Sequence, residues 1–391
     1  MAGPGTTADP GGILVAGAGL SGAVIARCLA EAGLRVQVVE ARDHVAGNCH
    51  TERDPETGVM VHRYGPHIFH TEKAPVWDFV NRFARFMPYR HRVRTTVGGE
   101  VYALPVNLGT INQFFRRAMR PDEARAFVAG LTETGDGPPR NFEEQALAMI
   151  GADLYRAFFK SYTEKQWGTP PALLPAAILK RLPLRFSYDD SYFSHRFQGI
   201  PEQGYTAMVT AMLDHPGITL QLGRALRRED TAGAEQVFWS GPLDGWFGHR
   251  LGRLGYRTLD FEHFTATGDW QGCPVMNYGD PEVPWTRITE HKHFAPWEEH
   301  AATFCSRETS RACGPDDIPY YPIRLVREKA LLADYLALAG AERGVTFVGR
   351  LGSYRYLDMD QCIEEAMEVA RRYLEARRQG RPLPAFVHSP V

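Results

Sequence analysis

The chain has 391 residues, 23% of them charged, and a formal net charge of −2. That length exceeds one compact core and implies two or three domains. The charge balance excludes nucleic acid or an anionic membrane surface as the main partner, and no apolar run has membrane-spanning length.

Residues 1–10 and 381–391 read as disordered tails. The first dozen residues have neither the charged nor the apolar region of a signal peptide, so a cytoplasmic location is expected. Residues 13–40 read as strand, helix, strand. The apolar run GILVAG enters Gly17-Ala18-Gly19-Leu20-Ser21-Gly22, a G-x-G-x-x-G between strand and helix. That context makes the motif specific for a dinucleotide. Gly17 allows the tight turn, Gly19 admits a pyrophosphate to the backbone, and Gly22 lets helix and strand pack closely. Free N–H groups of the helix terminus face the phosphates. Glu40 ends the second strand about twenty residues on, where an acid takes ribose hydroxyls. Arg42 and a second glycine turn, Gly47-Asn48, follow at once. NAD enzymes usually run straight into a helix here, so the pattern favours FAD.

Residues 43–75 are loop-rich, and 76–86 read as a helix with Val76, Phe79, Val80 and Phe83 on one face. Residues 92–104 alternate around Gly98-Gly99, a hairpin signal. The pattern is helical over 107–150 and 154–167, until Pro170-Pro171 ends it. Residues 218–240 and 255–310 are strand-like. A helix at 328–341, a strand at 345–349 and a helix at 360–378 complete the chain. The expected fold is α/β, a Rossmann-like FAD-binding domain with an inserted helical bundle and an antiparallel β-sheet domain. The expected boundaries are discontinuous: 11–75, 197–243 and 318–380 for the first domain, 107–180 for the helices, and 84–106, 181–196 and 244–317 for the sheet.

The six cysteines include no C-x-x-C pair and read as reduced thiols. No ligand set completes around His67, His70, His291 or His293, so no metal is expected. Four segments are too polar and aromatic for ordinary loops: 64–71, 158–167 with Lys180, Arg181 and Tyr192 beyond, Asn277-Tyr278 with Trp285-Thr286-Arg287, and Tyr320-Tyr321 with 349–359. Aromatic faces stack bases and sugars, and arginines clamp phosphates with a planar fork. There is no Ser-His-Asp pattern and no P-loop. The sum suggests a nucleotide ligand beside a flavin. Domain packing is the other reading for Phe158 and Phe159, and solvated surface positions are the other reading for the arginines.

These residues resemble the bacterial flavin-dependent UDP-galactopyranose mutases. The motifs are GAGLSGAV, YGPHIFHT, SYTEKQWG, KRLPLRFSYDDSYFS, GIPEQGYTAM, VPWTRITEHKHF, PYYPI and GRLGSYRYLDM. The resemblance implies non-redox interconversion of a nucleotide sugar between pyranose and furanose forms, with FAD active when reduced. Flavin N5 attacks the anomeric carbon, the N5–C1 adduct opens, and the ring recloses on another hydroxyl, which is covalent catalysis carried by the cofactor.

It implies that Arg181, on a mobile loop, and Arg287 grip the diphosphate. Phe158 and Tyr162 form the uracil pocket, with Phe159 and Trp167 on the same wall. Asn277 contacts nucleotide or sugar. Tyr192, Tyr321 and Tyr356 stand near the diphosphate, and His67, Ile68 and His70 stand by the flavin. Gly349 and Arg350 meet the FAD pyrophosphate, and Asp358 and Met359 lie on its ribityl side. Further expectations from the resemblance are an external reductant and a homodimer.

The sequence departs from the family's usual residues at Arg324, Asp360, Trp285, Ser161 and Pro66, which puts the sugar in doubt more than the reaction. Another UDP- or dTDP-hexose is therefore one alternative. An oxidoreductase of the amine oxidase type is a second, although it leaves Arg181 and Arg287 unexplained. A non-catalytic nucleotide-sugar binder is a third.

Overall fold

The computed structural model describes residues 11–133, 135, 137–176, 184–323 and 328–390. Ile13–Ala16 is the middle of a parallel sheet with strand order Ile218–Gln221, Val36–Val39, Ile13–Ala16, Gln236–Trp239, Val345–Phe347. Ile-Leu-Val-Ala is apolar throughout because both faces of this strand are covered. Ile13 and Val15 pack into one core with the helices Leu20–Glu31 and Met359–Arg378. Leu14 and Ala16 pack into a second core with Trp246 and the helix Glu328–Ala341.

The chain's end is a correction to the sequence reading. Residues 381–390 are ordered against the edge strand Val345–Phe347. Phe347 N–H donates to Ala385 O at 2.8 Å, the Thr346 hydroxyl donates to Pro384 O at 3.0 Å, and the Phe386 ring stacks on Phe347. An exposed parallel edge offers unpaired backbone groups, and this segment covers them. The helix expected over 76–86 is shorter, Ala74–Asn81, because Phe86–Pro88 leaves it to pair with Phe197–Pro201.

The second sheet is seven-stranded among the described residues and almost wholly antiparallel. Its longest part is the ribbon of Tyr256–Thr267 with Ala302–Ala312. Arg287–Glu290, Val275–Tyr278 and the hairpin Val93–Val97 with Glu100–Leu104 continue it. That hairpin turns on Gly98 and Gly99, both at positive φ. Helices Leu108–Phe114, Pro121–Ala129 and Phe142–Leu154 form the third layer around Ile111, Val128, Phe142 and Ile150. Asn107 and Asn141 cap two of them, accepting the Thr110 and Glu144 N–H groups. A π-helical turn over Tyr155–Lys160 then leads into the helix Ser161–Trp167. Such turns cluster at functional sites because they re-aim side chains; here the turn carries Phe158 and Phe159.

Candidate active site

Two cavities adjoin where the parallel sheet meets the antiparallel one. The first, of about 470 Å³, opens at the glycine turn. Gly17, Gly19, Leu20, Ser21, Glu40, Arg42, Gly47, Asn48, Gly349, Arg350, Met359 and His67 all line it. The three motif glycines have separable reasons. Gly17 has φ +100°, and a Cβ there would meet the Ser240 hydroxyl at 2.2 Å. A Cβ on Gly22 would stand 1.9 Å from Gly17 O, so it lies outside the cavity and serves helix–strand contact. A Cβ on Gly19 would meet no protein atom closer than 3.8 Å. The fold itself does not demand glycine at Gly19, so the reason for it lies in what enters the cavity.

Glu40 is buried, and its two carboxylate oxygens accept the N–H groups of Ala18 at 2.7 Å and Arg42 at 3.0 Å. It thereby ties the second strand to the glycine turn. Arg42 donates to Asn48 Oδ1 at 2.8 Å and lies over the Tyr64 ring, while its Nη1 is buried without a partner. A buried guanidinium N–H left unpaired beside an open glycine turn fits the pyrophosphate and ribose of a dinucleotide.

The second cavity, of about 350 Å³, is lined by Phe158, Phe159, Tyr162, Trp167, Tyr192, Asn277, Arg287, Tyr321, Tyr356 and His70, with Ile68 and Asp358. These residues come from three layers of the fold and six separate stretches of sequence. Ile68 and Asp358, expected on the cofactor, line this cavity instead of the first. The two cavities share three residues, His67, Arg350 and Met359. Arg350 donates to Leu357 O at 2.6 Å and faces the Tyr356 ring, which fixes it at the junction. Arg181 and Arg324 lie outside the described residues.

Arg287 stands across the strands from Glu308, with Nε 3.2 Å from Oε1. The N–H does not point at that oxygen, so the contact is an ion pair without a hydrogen bond. Burial pushes the Glu308 carboxyl up, and Arg287 and Thr286 pull it only partly back. Burial also works against the Arg287 charge, but Glu308 and the tyrosines around it hold its pKa above the usual value. Arg287 is thus a fixed cation whose fork is not consumed by its carboxylate.

Burial brings the His67 pKa down to about 4. The ring is therefore neutral at pH 7, and because Nδ1–H donates to Gly65 O at 2.9 Å, Nε2 is left as an acceptor. His70 meets His195 through their Nδ1 atoms at 2.6 Å and stacks on Phe193. Burial lifts the Tyr192 hydroxyl to about 12, which keeps it a donor.

Sequence reasoning missed Glu308, His91 and Thr95 in this cavity, and Trp239, Ser240 and Gly241 in the first, while Gln166 and Tyr320 fell inside the singled-out segments without a role of their own. Ser240-Gly241 had a legible signal, a glycine turn at the end of a parallel strand. Glu308 had none, since a charged residue in an alternating strand reads as solvent-facing.

The departures separate on inspection. Pro66 lines the second cavity. Asp360 is buried in the first turn of Met359–Arg378, where it accepts the Thr71 hydroxyl at 3.0 Å and anchors that helix. Trp285 packs under Arg307 and against Tyr278, and neither it nor Ser161 lines the cavity.

The one three-residue His/acid grouping among the described residues is Asp269, Glu290 and His293. Glu290 already accepts the N–H groups of Trp270, Gln271 and Gly272, and Lys292 holds Asp269 at 2.6 Å.

Comparison with known proteins places this geometry. A UDP-galactopyranose mutase family model matches residues 157–356, and an NAD(P)-binding Rossmann-like model matches 15–83. A probable UDP-galactopyranose mutase of Klebsiella pneumoniae is 56% identical over 96% of this chain and 97% of its own. A dTDP-fucopyranose mutase of Escherichia coli is 49% identical over 94% of this chain and 99% of its own. The crystal structure of a reduced UDP-galactopyranose mutase superposes with a TM-score of 0.72 over 93% of this chain and 96% of that one, at 17% identity, a likeness of fold. No helix among the described residues is long and apolar enough to cross a membrane.

Proposed function

The chain belongs to the UDP-galactopyranose mutase family of isomerases, and from that premise we propose that it interconverts the pyranose and furanose forms of UDP-galactose with reduced FAD in the glycine-turn cavity. The observation that carries this reading is the common wall of the two cavities, His67, Arg350 and Met359, which sets an aromatic and guanidinium cavity against a dinucleotide cavity. When bound and reduced, the flavin supplies a nucleophilic nitrogen to the anomeric carbon.

The chain's own residues do the rest. Phe158, Tyr162 and Trp167 offer faces to a pyrimidine base. Arg287, with Arg181, takes the diphosphate and stabilises the charge that grows on it as the glycosidic bond breaks. Neutral His67 keeps an acceptor at the junction for a hydroxyl proton without adding a cation beside the flavin site. A homodimer and an external reductant belong to the same proposal.

The named relatives act on two nucleotide sugars, so the test is a panel. Dithionite-reduced protein is incubated with UDP-galactose, UDP-glucose and dTDP-fucose in both ring forms, and the products are resolved chromatographically. UDP-galactofuranose converted to the pyranose without net oxidation is the expected result. Preference for dTDP-fucose moves the reading to the substrate named by the second relative. Peroxide released stoichiometrically with turnover in air would overturn the mutase reading in favour of an oxidase.

A further inference from the structure

The helix Ser161–Trp167 carries Tyr162, Gln166 and Trp167 into the second cavity, and Asn277 and Arg287 reach it from two neighbouring strands. Those strands are joined by residues 279–286, an irregular connection whose ends are tied by Gly279 N–H to Thr96 O at 3.1 Å and Thr286 N–H to Glu308 O at 2.8 Å. Something must set the gap between the helix face and the guanidinium. Lys165 projects from the helix into that connection. Its ammonium donates to Tyr278 O at 2.6 Å, Asp280 O at 3.0 Å, Val283 O at 3.0 Å and Trp285 O at 3.2 Å. Four carbonyls spaced around one loop converge on one point charge with three N–H donors. A compact, rotatable ammonium suits this arrangement, and a planar fork does not.

The helix is itself fastened from the other side. The Ser310 hydroxyl donates to Gln166 O at 2.7 Å, and Arg257 donates to the same carbonyl at 3.1 Å and to Lys165 O at 3.4 Å. These groups close the helix C-terminus, where cations are favoured, and dock it on the ribbon. Lys165 therefore does not steady a loose helix. It connects a helix already held to the loop that delivers Asn277 and Arg287.

We propose that Lys165 is a positioning residue for nucleotide-sugar recognition, templating the 278–285 loop so that Arg287 meets the diphosphate of a nucleotide whose base rests on Tyr162. The inference rests on the functional reading above. It predicts a specific split between ligands, because the base rests on the helix side without Arg287 while a nucleoside diphosphate reaches Arg287 as well.

The experiment uses the oxidised flavin-loaded protein and equilibrium titration with UDP and with uridine, which requires no turnover. Lys165→Met keeps the stem and removes the charge and donors. UDP should weaken at least tenfold and uridine less than twofold, with flavin content unchanged. In reduced enzyme the same variant should lower kcat/KM at least tenfold, with a fall in kcat as well as a rise in KM, because Arg287 acts on both the bound diphosphate and the charge that grows on it. If Lys165→Met does not fold, Lys165→Gln is read for the same split.

UDP affinity within twofold of the parent, or UDP and uridine weakened in parallel, overturns the inference while leaving the mutase reading intact. A parent protein that binds no UDP overturns the mutase reading and this inference with it.

Discussion

Replacing Arg287 by alanine removes a cation whose fork is not consumed by its own carboxylate. Nε lies 3.2 Å from Glu308 Oε1 without hydrogen-bond geometry, and the side chain is 23% exposed into the cavity. A charge-assisted bond from such a group to a diphosphate oxygen is worth about 1.5–3 kcal/mol. A donor aimed at charge that grows in the transition state is worth about 3–4 kcal/mol, or roughly 100- to 1000-fold in kcat. Arg287→Ala should therefore lower kcat/KM by roughly that range while the flavin spectrum stays parental.

The same change strands Glu308. Burial already raises that carboxyl, and without Arg287 it rises further and is left a buried acid with no cation beside it. Stability then falls for a reason unrelated to catalysis. The double variant Arg287→Ala with Glu308→Gln separates the two effects, since it should regain the unfolding midpoint lost by the single variant and none of the turnover. The assay is conversion of UDP-galactofuranose by dithionite-reduced protein, with thermal unfolding measured in parallel. Turnover of Arg287→Ala within threefold of the parent would refute the assignment of Arg287 to the diphosphate.

Three further outcomes follow from the geometry. Gly19→Ala should leave the apoprotein as stable as the parent yet fail to retain FAD, because its methyl group meets only cavity, whereas Gly22→Ala drives a Cβ to 1.9 Å from Gly17 O and should disrupt the fold itself; equal unfolding midpoints for the two apoproteins would contradict this. Burial raises the Glu290 carboxyl, but hydrogen bonds from His293 and from the Gln271 and Trp270 N–H groups outweigh it and leave the pKa at about 2. Its folded-state pKa lies below the unfolded value, so its contribution, on the order of 3 kcal/mol, is complete above about pH 4.5 and lost as pH falls toward 2. Glu290→Gln should be destabilised at pH 7, and the difference from the parent should shrink in acid. Burial lowers the pKa of His62 to about 3, of His67 to about 4 and of His91 to about 3, and that of His291 well below its usual range. Their neutral folded forms are favoured above about pH 6.5, and each loses roughly 1.4 kcal/mol per pH unit below it. Urea midpoints should fall steeply from pH 6 to pH 4.5, and His291→Gln should flatten that slope by one proton's worth.

The dinucleotide half of the site was legible because its determinants are local. Gly17, Gly19, Gly22 and Glu40 lie within 24 consecutive residues, and each answers a separate local need: the turn at Gly17, ligand access at Gly19, helix–strand packing at Gly22 and the strand end at Glu40. The nucleotide-sugar half was legible through resemblance and through the excess of aromatics and arginines, since its residues are scattered from Tyr64 to Met359. Strand register decides what was missed. Arg287 and Glu308 are directly opposite on adjacent antiparallel strands, a pairing that no spacing in the sequence reveals. The ordered end of the chain was misread for a similar reason. Residues 381–390 carry three prolines and no helix or strand periodicity, and they acquire structure from the sheet edge they cover and the cores that Leu383, Ala385, Phe386 and Val387 join.

The arrangement of the two cavities follows from the two kinds of sheet. In the parallel sheet, ligands gather beyond the carboxyl ends of the strands; Ala16, Val39 and Trp239 end their strands at the first cavity, and Gly349 lies just past the fourth. In the antiparallel sheet, alternate residues share a face, and Val93 with Thr95 and Val275 with Asn277 line the second cavity in that two-residue step. Trp285 and Asp360 vary outside that face and Ser161 outside the cavity, so they leave its walls unchanged. Among the described departures only Pro66 touches the cavity, in the stretch that runs to His67 and the shared wall. Selection among nucleotide sugars in this chain therefore has Pro66, together with Arg324 three residues after Tyr321, as its first places to be sought.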